Sequence, residues 1–189
     1  MASLVLNGNV SGSCTITTPS AAGTTTLTLP TTSGTVLTTA SSGQSIPKAA
    51  LPTGSILQVV NATYSTSTTN ASITYADTGL SASITPTSSS SKILVLVSHE
   101  GVIKANSNTK VNFKLFRGAT DLGLVANAGA TDTSATNLLG STAIVYLDSP
   151  ATTSSTTYKT QFSSANNTSF VGVQDSSVPS TITLLEIAS

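Results

Sequence analysis

From Ser55 to the C-terminus no window carries a helical period. Apolar residues instead recur at every second position in short runs, each bounded by clusters of Ser, Asn, Gly, Asp and Pro. A period of two is the mark of a strand with one wet face. About ten such runs follow one another: 55–60, 71–75, 80–85, 92–98, 110–118, 120–126, 141–148, 156–164, 169–175 and 180–187. Val111, Phe113 and Leu115 oppose Asn112 and Lys114, and Tyr158, Thr160 and Phe162 oppose Lys159 and Gln161. "FRGATDLG" (116–123) places a Gly-containing turn between two alternating runs and reads as a hairpin. Many short strands at this spacing indicate an all-β sandwich or jelly roll. "ILVLV" (93–97) breaks the alternation, being apolar on both faces. One face can line a core; the other needs a second cover, which a neighbouring subunit can supply.

Residues 1–45 have a different texture. Nine-residue units "TITTPSAAG" (15–23), "TLTLPTTSG" (26–34) and "TVLTTASSG" (35–43) overlay one another, each opening on Thr plus an apolar residue and closing on Gly. This reads as strand and turn in repetition. Leu27, Leu29, Val36 and Leu37 are too few to offset the backbone entropy of ordering such a segment. The region therefore leans on copies of itself or on another protein. In residues 46–54, Pro47 and Pro52 bracket "KAAL" beside Gly54, which marks a linker and the domain boundary.

Charge narrows the function. Charged residues are only 7% of the 189-residue chain, with 7 cations against 7 acids. The cations are scattered from Lys48 to Lys159, so no basic patch for nucleic acid forms. Threonine and serine fill the gap, and threonine suits a pleated strand. So little charge favours self-association. Cys14 is the only cysteine, which excludes an internal disulfide and reads as a small buried residue. The opening "MASLVLNGNVSGS" has neither the basic region nor the apolar length of a signal peptide, and no apolar run is long enough to cross a bilayer.

Reactive chemistry is sparse. His99, the single histidine, lies beside Glu100 in "VSHEGV", where Ile103 defeats an HExxH zinc motif; the pair reads as a solvated strand end. The carboxylates are Asp77, Glu100, Asp121, Asp132, Asp148, Asp175 and Glu186, most of them in turn-like contexts such as "ADTG", "LDSP" and "QDSS". No nucleophile elbow, P-loop or dinucleotide fingerprint is present. No cofactor or metal is expected and no catalytic residue is assigned. Sequon matches at 9–11, 61–63, 70–72 and 166–169 read as loops. The expected contact loops are 61–71, 104–110 and 126–140, with no individual receptor-binding residue singled out.

"GTTTLTLPTTSGTVLTT" (23–39), "SIPKAALPTGSILQVV" (45–60), "DTGLSASITPTSSSSKILVLVS" (77–98) and the closing "STITLLEIAS" (180–189) resemble tail-fibre and other virion structural proteins of bacteriophages, those of cyanobacterial and marine phages above all. The resemblance implies a homotrimeric appendage: residues 1–45 as virion anchor or shaft, and residues 55–189 as a jelly-roll head similar to the tumour-necrosis-factor/complement type. It implies assembly in the host cytoplasm without a signal peptide, residence in the virion, and no enzymatic activity. The implied partners are other copies, further virion proteins of tail, baseplate or capsid, and a host-surface polysaccharide or protein. A capsid-decorating head fibre or cement protein is the alternative, and a cell-surface adhesin or lectin-like module is a third reading.

Overall fold

The computed structural model describes residues 3–7, 13–17, 51–106, 109–128, 137–167 and 169–189. The chain divides into two compact units, Met1–Ser45 and Ile46–Ser189. In the first, β1 (Ser3–Asn7) and β2 (Ser13–Thr17) pair antiparallel, with Ser3 opposite Thr17 and Asn7 opposite Ser13. Cys14 lies in β2 opposite Leu6. The repeat units at 26–34 and 35–43, with Leu27, Leu29, Val36 and Leu37, lie outside the described residues, as does the first half of the linker.

The second unit is an antiparallel β-sandwich. Its strands are β3 (Ile56–Tyr64), β4 (Thr68–Asn70), β5 (Ala76–Ile84), β6 (Lys92–Lys104), β7 (Val111–Arg117), β8 (Thr120–Ala128), β9 (Asn137–Asp148), β10 (Thr156–Ser164), β11 (Val171–Val173) and β12 (Ser180–Ile187). One sheet has the order β5-β10-β7-β8. In the other, β6 is flanked by β9 on one edge and by β12 then β3 on the opposite edge, with β11 and β4 continuing past β12. Consecutive strands switch sheets repeatedly, which is the jelly-roll winding. Among the described residues there is no α-helix, and no helix is long and apolar enough to cross a membrane.

The core forms where the period-two pattern places it. Leu80, Ala82 and Ile84 of β5, Tyr158 and Phe162 of β10, and Val111, Phe113 and Leu115 of β7 point inward from one sheet. Ile93, Val95 and Val97 of β6 meet them with Ile182 and Leu184 of β12. The β7–β8 hairpin turns through two residues, Gly118 and Ala119, with Gly118 at φ 56 in the first central position. That conformation suits glycine and matches the twist of the strands it joins.

Three segments differ from the sequence pattern. Residues 71–75 form no strand, and the strand of this region is β4, one step earlier. Here side chains compete with the ladder: Ser72 N–H donates to Asn70 Oδ1, Thr74 N–H to Ser72 Oγ, and Asn70 Nδ2 to the Thr74 carbonyl. β6 runs on from Ser98 to Lys104 through a bulge between His99 and Val102. Gly101 in the bulge has φ 57, and a Cβ there would lie 2.5 Å from the Asp175 amide nitrogen. The 169–175 run yields only Val171–Val173, because Gln174 turns left-handed into a 3₁₀ turn at Asp175–Ser177.

One polar cluster ties the sheets together. Asp148, at the end of β9, accepts both oxygens' worth of hydrogen bonds from Arg117 Nη1 of β7 (2.9 and 2.8 Å), and Tyr158 Oη of β10 donates to its Oδ2 at 2.6 Å. Asp148 is therefore a buried acceptor inside the sandwich rather than the turn residue its "LDSP" context suggested. Burial first, then the carboxylate beside it, drive the Tyr158 hydroxyl far above its ordinary pKa. Asp148→Ala leaves a guanidinium and a phenol without their acceptor and should cost about 2–4 kcal/mol, towards the lower end because Arg117 is part-exposed. Tyr158→Phe should cost about 1 kcal/mol. Urea denaturation of the two variants tests the ranking; equal midpoints would show that the ion pair contributes nothing beyond the phenol.

Candidate functional site

The two outer faces of the sandwich differ in kind. On the four-stranded sheet the outward row is charged and internally paired. Lys159 bridges Asp77 at 2.9 Å, and Lys114 bridges Asp121 while its Nζ lies 4.7 Å from the centre of the Tyr75 ring. The partner charge accounts for each shift: Lys159 holds Asp77 below its usual carboxylate range, and Lys114 does the same for Asp121.

The outer face of the six-stranded sheet is aliphatic at one end and hydroxylated at the other. Strand register builds it row by row. Val59, Leu185, Leu94 and Leu147 sit abreast across β3, β12, β6 and β9. The next row is Asn61, Thr183, Leu96 and Val145, and the row after it is Thr63, Thr181, Ser98 and Ala143. Ile56 and Ile187 extend the aliphatic end, where the chain enters and leaves the sandwich. Val145 is 70% exposed, Val59 58%, Ile56 55% and Leu147 53%. Leu94 and Leu96 are the outward residues of "ILVLV", so its second apolar face is real and lies in this patch. The register also brings Val59, Val145, Leu147 and Leu185 into the patch from the strands on either side. Two charges of β6 flank these rows on the same face: Lys92 beside the aliphatic rows and Glu100 beyond the hydroxyls.

The residues with reactive side chains are dispersed. Glu100 and Asp175 line a cleft of about 270 Å³ with Gly101, Gly140, Ser141, Ser176 and Val178, with no aromatic side chain among its walls. Glu100 Oε1 accepts from Ser98 Oγ at 2.6 Å. Asp77 stands within β5 and Asp121 at the start of β8, where its Oδ1 also caps Gly123 N–H; Asp175 occupies the turn its context indicated. Glu186 is buried in β12, a position that raises its pKa, but hydrogen bonds from Thr87, Ser91 and Gln58 outweigh this and hold it below the usual range. Asp132 lies outside the described residues. Among the described residues no three His, Cys, Asp or Glu side chains gather as a metal site.

The anticipated contact loops are partly strand. Residues 61–64 complete β3 and 68–70 form β4, Lys104 ends β6, and β8 and β9 reach into 126–140; residues 107–108 and 129–136 lie outside the described set. Three sequon asparagines among the described residues serve the fold: Asn61 Nδ2 donates to Thr183 Oγ1, Asn70 Nδ2 to the Phe162 carbonyl, and Asn167 Oδ1 accepts from Ile73 N–H; the 9–11 match lies outside the described residues.

No protein-family model and no curated protein matches the chain. Among solved structures, "Structure of infectious bursal disease virus Gx strain" is similar at 11% identity and a TM-score of 0.33, over 79% of this chain and 42% of that one. This chain thus spans less than half of that chain's length, and so distant a likeness says nothing about function.

His99 corrects the sequence reading most sharply. It is fully buried on the inner face of β6, not at a solvated strand end, and stacks on Phe113 with ring centroids 4.5 Å apart and planes 12° off parallel. Neither ring nitrogen has a hydrogen-bond partner among the described residues. Burial penalises the imidazolium and lowers the pKa from 6.5 to about 4. The unfolded chain therefore takes up a proton that the folded chain resists. The contribution to stability is complete above pH 6.5 and is lost as pH falls towards 4, by about 3 kcal/mol in total. In His99→Phe, which keeps the ring stack, that part of the acid-induced loss should vanish from denaturation curves taken between pH 7 and 4; an unchanged slope would assign the loss to carboxylates instead.

Proposed function

We propose that this chain is a virion structural protein without enzymatic activity, a homotrimeric tail-fibre-type bacteriophage appendage that contributes to host-surface attachment. The observation that carries the reading is the aliphatic end of the six-stranded sheet's outer face, which a protein working alone would expose to water. The opposite sheet shows what a solvated face of this fold looks like: charged and paired. The stretches 23–39, 45–60, 77–98 and 180–189 that resemble phage fibre proteins support the same reading. In this reading the N-terminal unit joins the particle and the sandwich faces outward. Its loops meet a host polysaccharide or protein weakly, and copy number turns weak contacts into attachment. A capsid-decorating fibre would use the same surface and differ in what the N-terminal unit grips.

Light scattering on a sizing column tests the reading. The expected molar mass is three times 18.9 kDa. A mass of 18.9 kDa at tens of micromolar would overturn self-assembly and with it the appendage.

A further inference from the structure

Three buried polar atoms lack a hydrogen-bond partner among the described residues: both ring nitrogens of His99 and Oε1 of Gln174. Both residues are fully buried, and a buried polar group normally finds a partner in protein or in ordered water. We infer that Gln174 Oε1, one His99 nitrogen and the hydroxyl of Ser180 are the ligands of a single internal water molecule, held between β6, β12 and the turn that follows β11.

Strand register brings these groups to one place. Thr181 pairs with Ser98, so the next pair along the two strands sets Ser180 opposite His99. Both side chains are buried on the inner face, beside Ile182 and Val97. Side chains placed in this way have Cβ atoms about 5 Å apart. Gln174 reaches the same spot from the turn: its N–H donates to the Glu100 carbonyl at 2.9 Å and its Nε2 to Ser180 Oγ at 2.9 Å. The two ends of a carboxamide are about 2.3 Å apart, which keeps Gln174 Oε1 within about 5 Å of Ser180 Oγ. His99 and Gln174 thus stand around one hydroxyl, with no direct bond between them. A polar pair separated in this way is the setting for a bridging water.

The chemistry selects the occupant. Ser180 Oγ already accepts twice, from Gln174 Nε2 and from Glu100 N–H at 3.0 Å, which leaves its own proton to give. Gln174 Oε1 can only accept, and a neutral imidazole has one nitrogen that accepts and one that donates. Water takes the serine proton, donates to Gln174 Oε1 and pairs with a His99 nitrogen; three partners are typical of a buried water. A metal cation lacks its counter-charge here. The two carboxylates next in sequence are engaged elsewhere: Glu100 Oε1 with Ser98 Oγ on the outer face, and Asp175 Oδ2 with the exposed Ser176 Oγ. His99, held neutral at pH 7 by burial, offers no positive charge to an anion. The site lies at the bulge between His99 and Val102, where the ladder is interrupted. The water therefore joins β6 and β12 to the turn at Asp175–Ser177, which with Glu100 walls the open cleft.

A crystal structure of the whole chain, resolved well enough to show ordered water, tests this. The expected result is one water within hydrogen-bonding distance of Gln174 Oε1, Ser180 Oγ and a His99 nitrogen, and its loss in Ser180→Ala. In solution the same water should give nuclear Overhauser contacts to the Gln174 amide protons and the His99 ring, which Ser180→Ala also loses. A dry site in which the Gln174 carboxamide is turned over, so that Nε2 donates to His99 and Ser180 Oγ–H to Oε1, would overturn the inference. So would a water that Ser180→Ala leaves in place. Should Ser180→Ala not fold, the wild-type density and Overhauser contacts decide alone.

Discussion

Strand β6 bonds on both edges and carries aliphatic side chains on both faces, and the rest of the sandwich is arranged around that fact. Its backbone pairs with β12 and β11 on one side and β9 on the other. Its inner row, Ile93, Val95 and Val97, anchors a core shared with β7, β10 and β12. A strand in the middle of a sheet cannot turn one apolar face away without turning the other towards water. Leu94 and Leu96 therefore face outward by geometric necessity, and the strands beside them supply matching aliphatics rather than charges: Leu185 and Val59 on one side, Leu147 and Val145 on the other.

The low charge of the chain becomes intelligible once the buried polar groups are followed. Hydroxyls bond to one another across strands where other proteins would place ion pairs. Thr78 Oγ1 and Thr160 Oγ1 lie 2.7 Å apart between β5 and β10, and Thr109 Oγ1 and Ser164 Oγ 2.9 Å apart. Ser180 Oγ accepts from both Glu100 N–H and Gln174 Nε2, which fastens the turn at Asp175–Ser177 over the β6 bulge. A hydroxyl donates and accepts at once, so a pair satisfies itself without desolvating a charge. Threonine adds the stiffness that a strand favours. The same residues thus serve as strand formers and as the internal polar network, and few charges are needed inside the sandwich.

The sequence showed most clearly what depends on period two alone. Val111–Leu115 and Tyr158–Phe162 read correctly because alternation is a property of the strand itself, and the Gly118 hairpin because turn chemistry is local. What escaped depends on contacts distant in the chain. His99 beside Glu100 looks solvated, and only the packing of β7 against β6 sets it on Phe113. Asp148 looks like a turn residue until Arg117 and Tyr158, 31 and 10 residues away, converge on it. In 71–75 the apolar pattern was present but Asn70 and Ser72 bonded locally and won. Half of the candidate site was legible: "ILVLV" announced a second apolar face. Which neighbours would share it was not, because Val59 and Val145 join the patch through register with β12 and β6, strands distant in the chain.

The bulge at His99–Val102 explains why, among the described residues, only one end of that face lacks cover. Before it, odd-numbered residues of β6 point inward; after it, Val102 and Lys104 do, and Ile103 points out. The slip would repeat the problem of Leu94 and Leu96 at the other end of the strand, but there β11 lies alongside. Gly172 pairs opposite Ile103, and a Cβ on it would come within 2.9 Å of Ile103 Cγ1, so the aliphatic side chain lies across the glycine backbone. The outward aliphatic past the bulge is thus packed by the chain's own β11, while the aliphatics before it meet only β12 and β9 edge-on and remain open above. One strand, shifted by one residue, has a face closed at one end by β11 and open at the other. The open end is the one beside Ser55, where the chain arrives from its N-terminal unit.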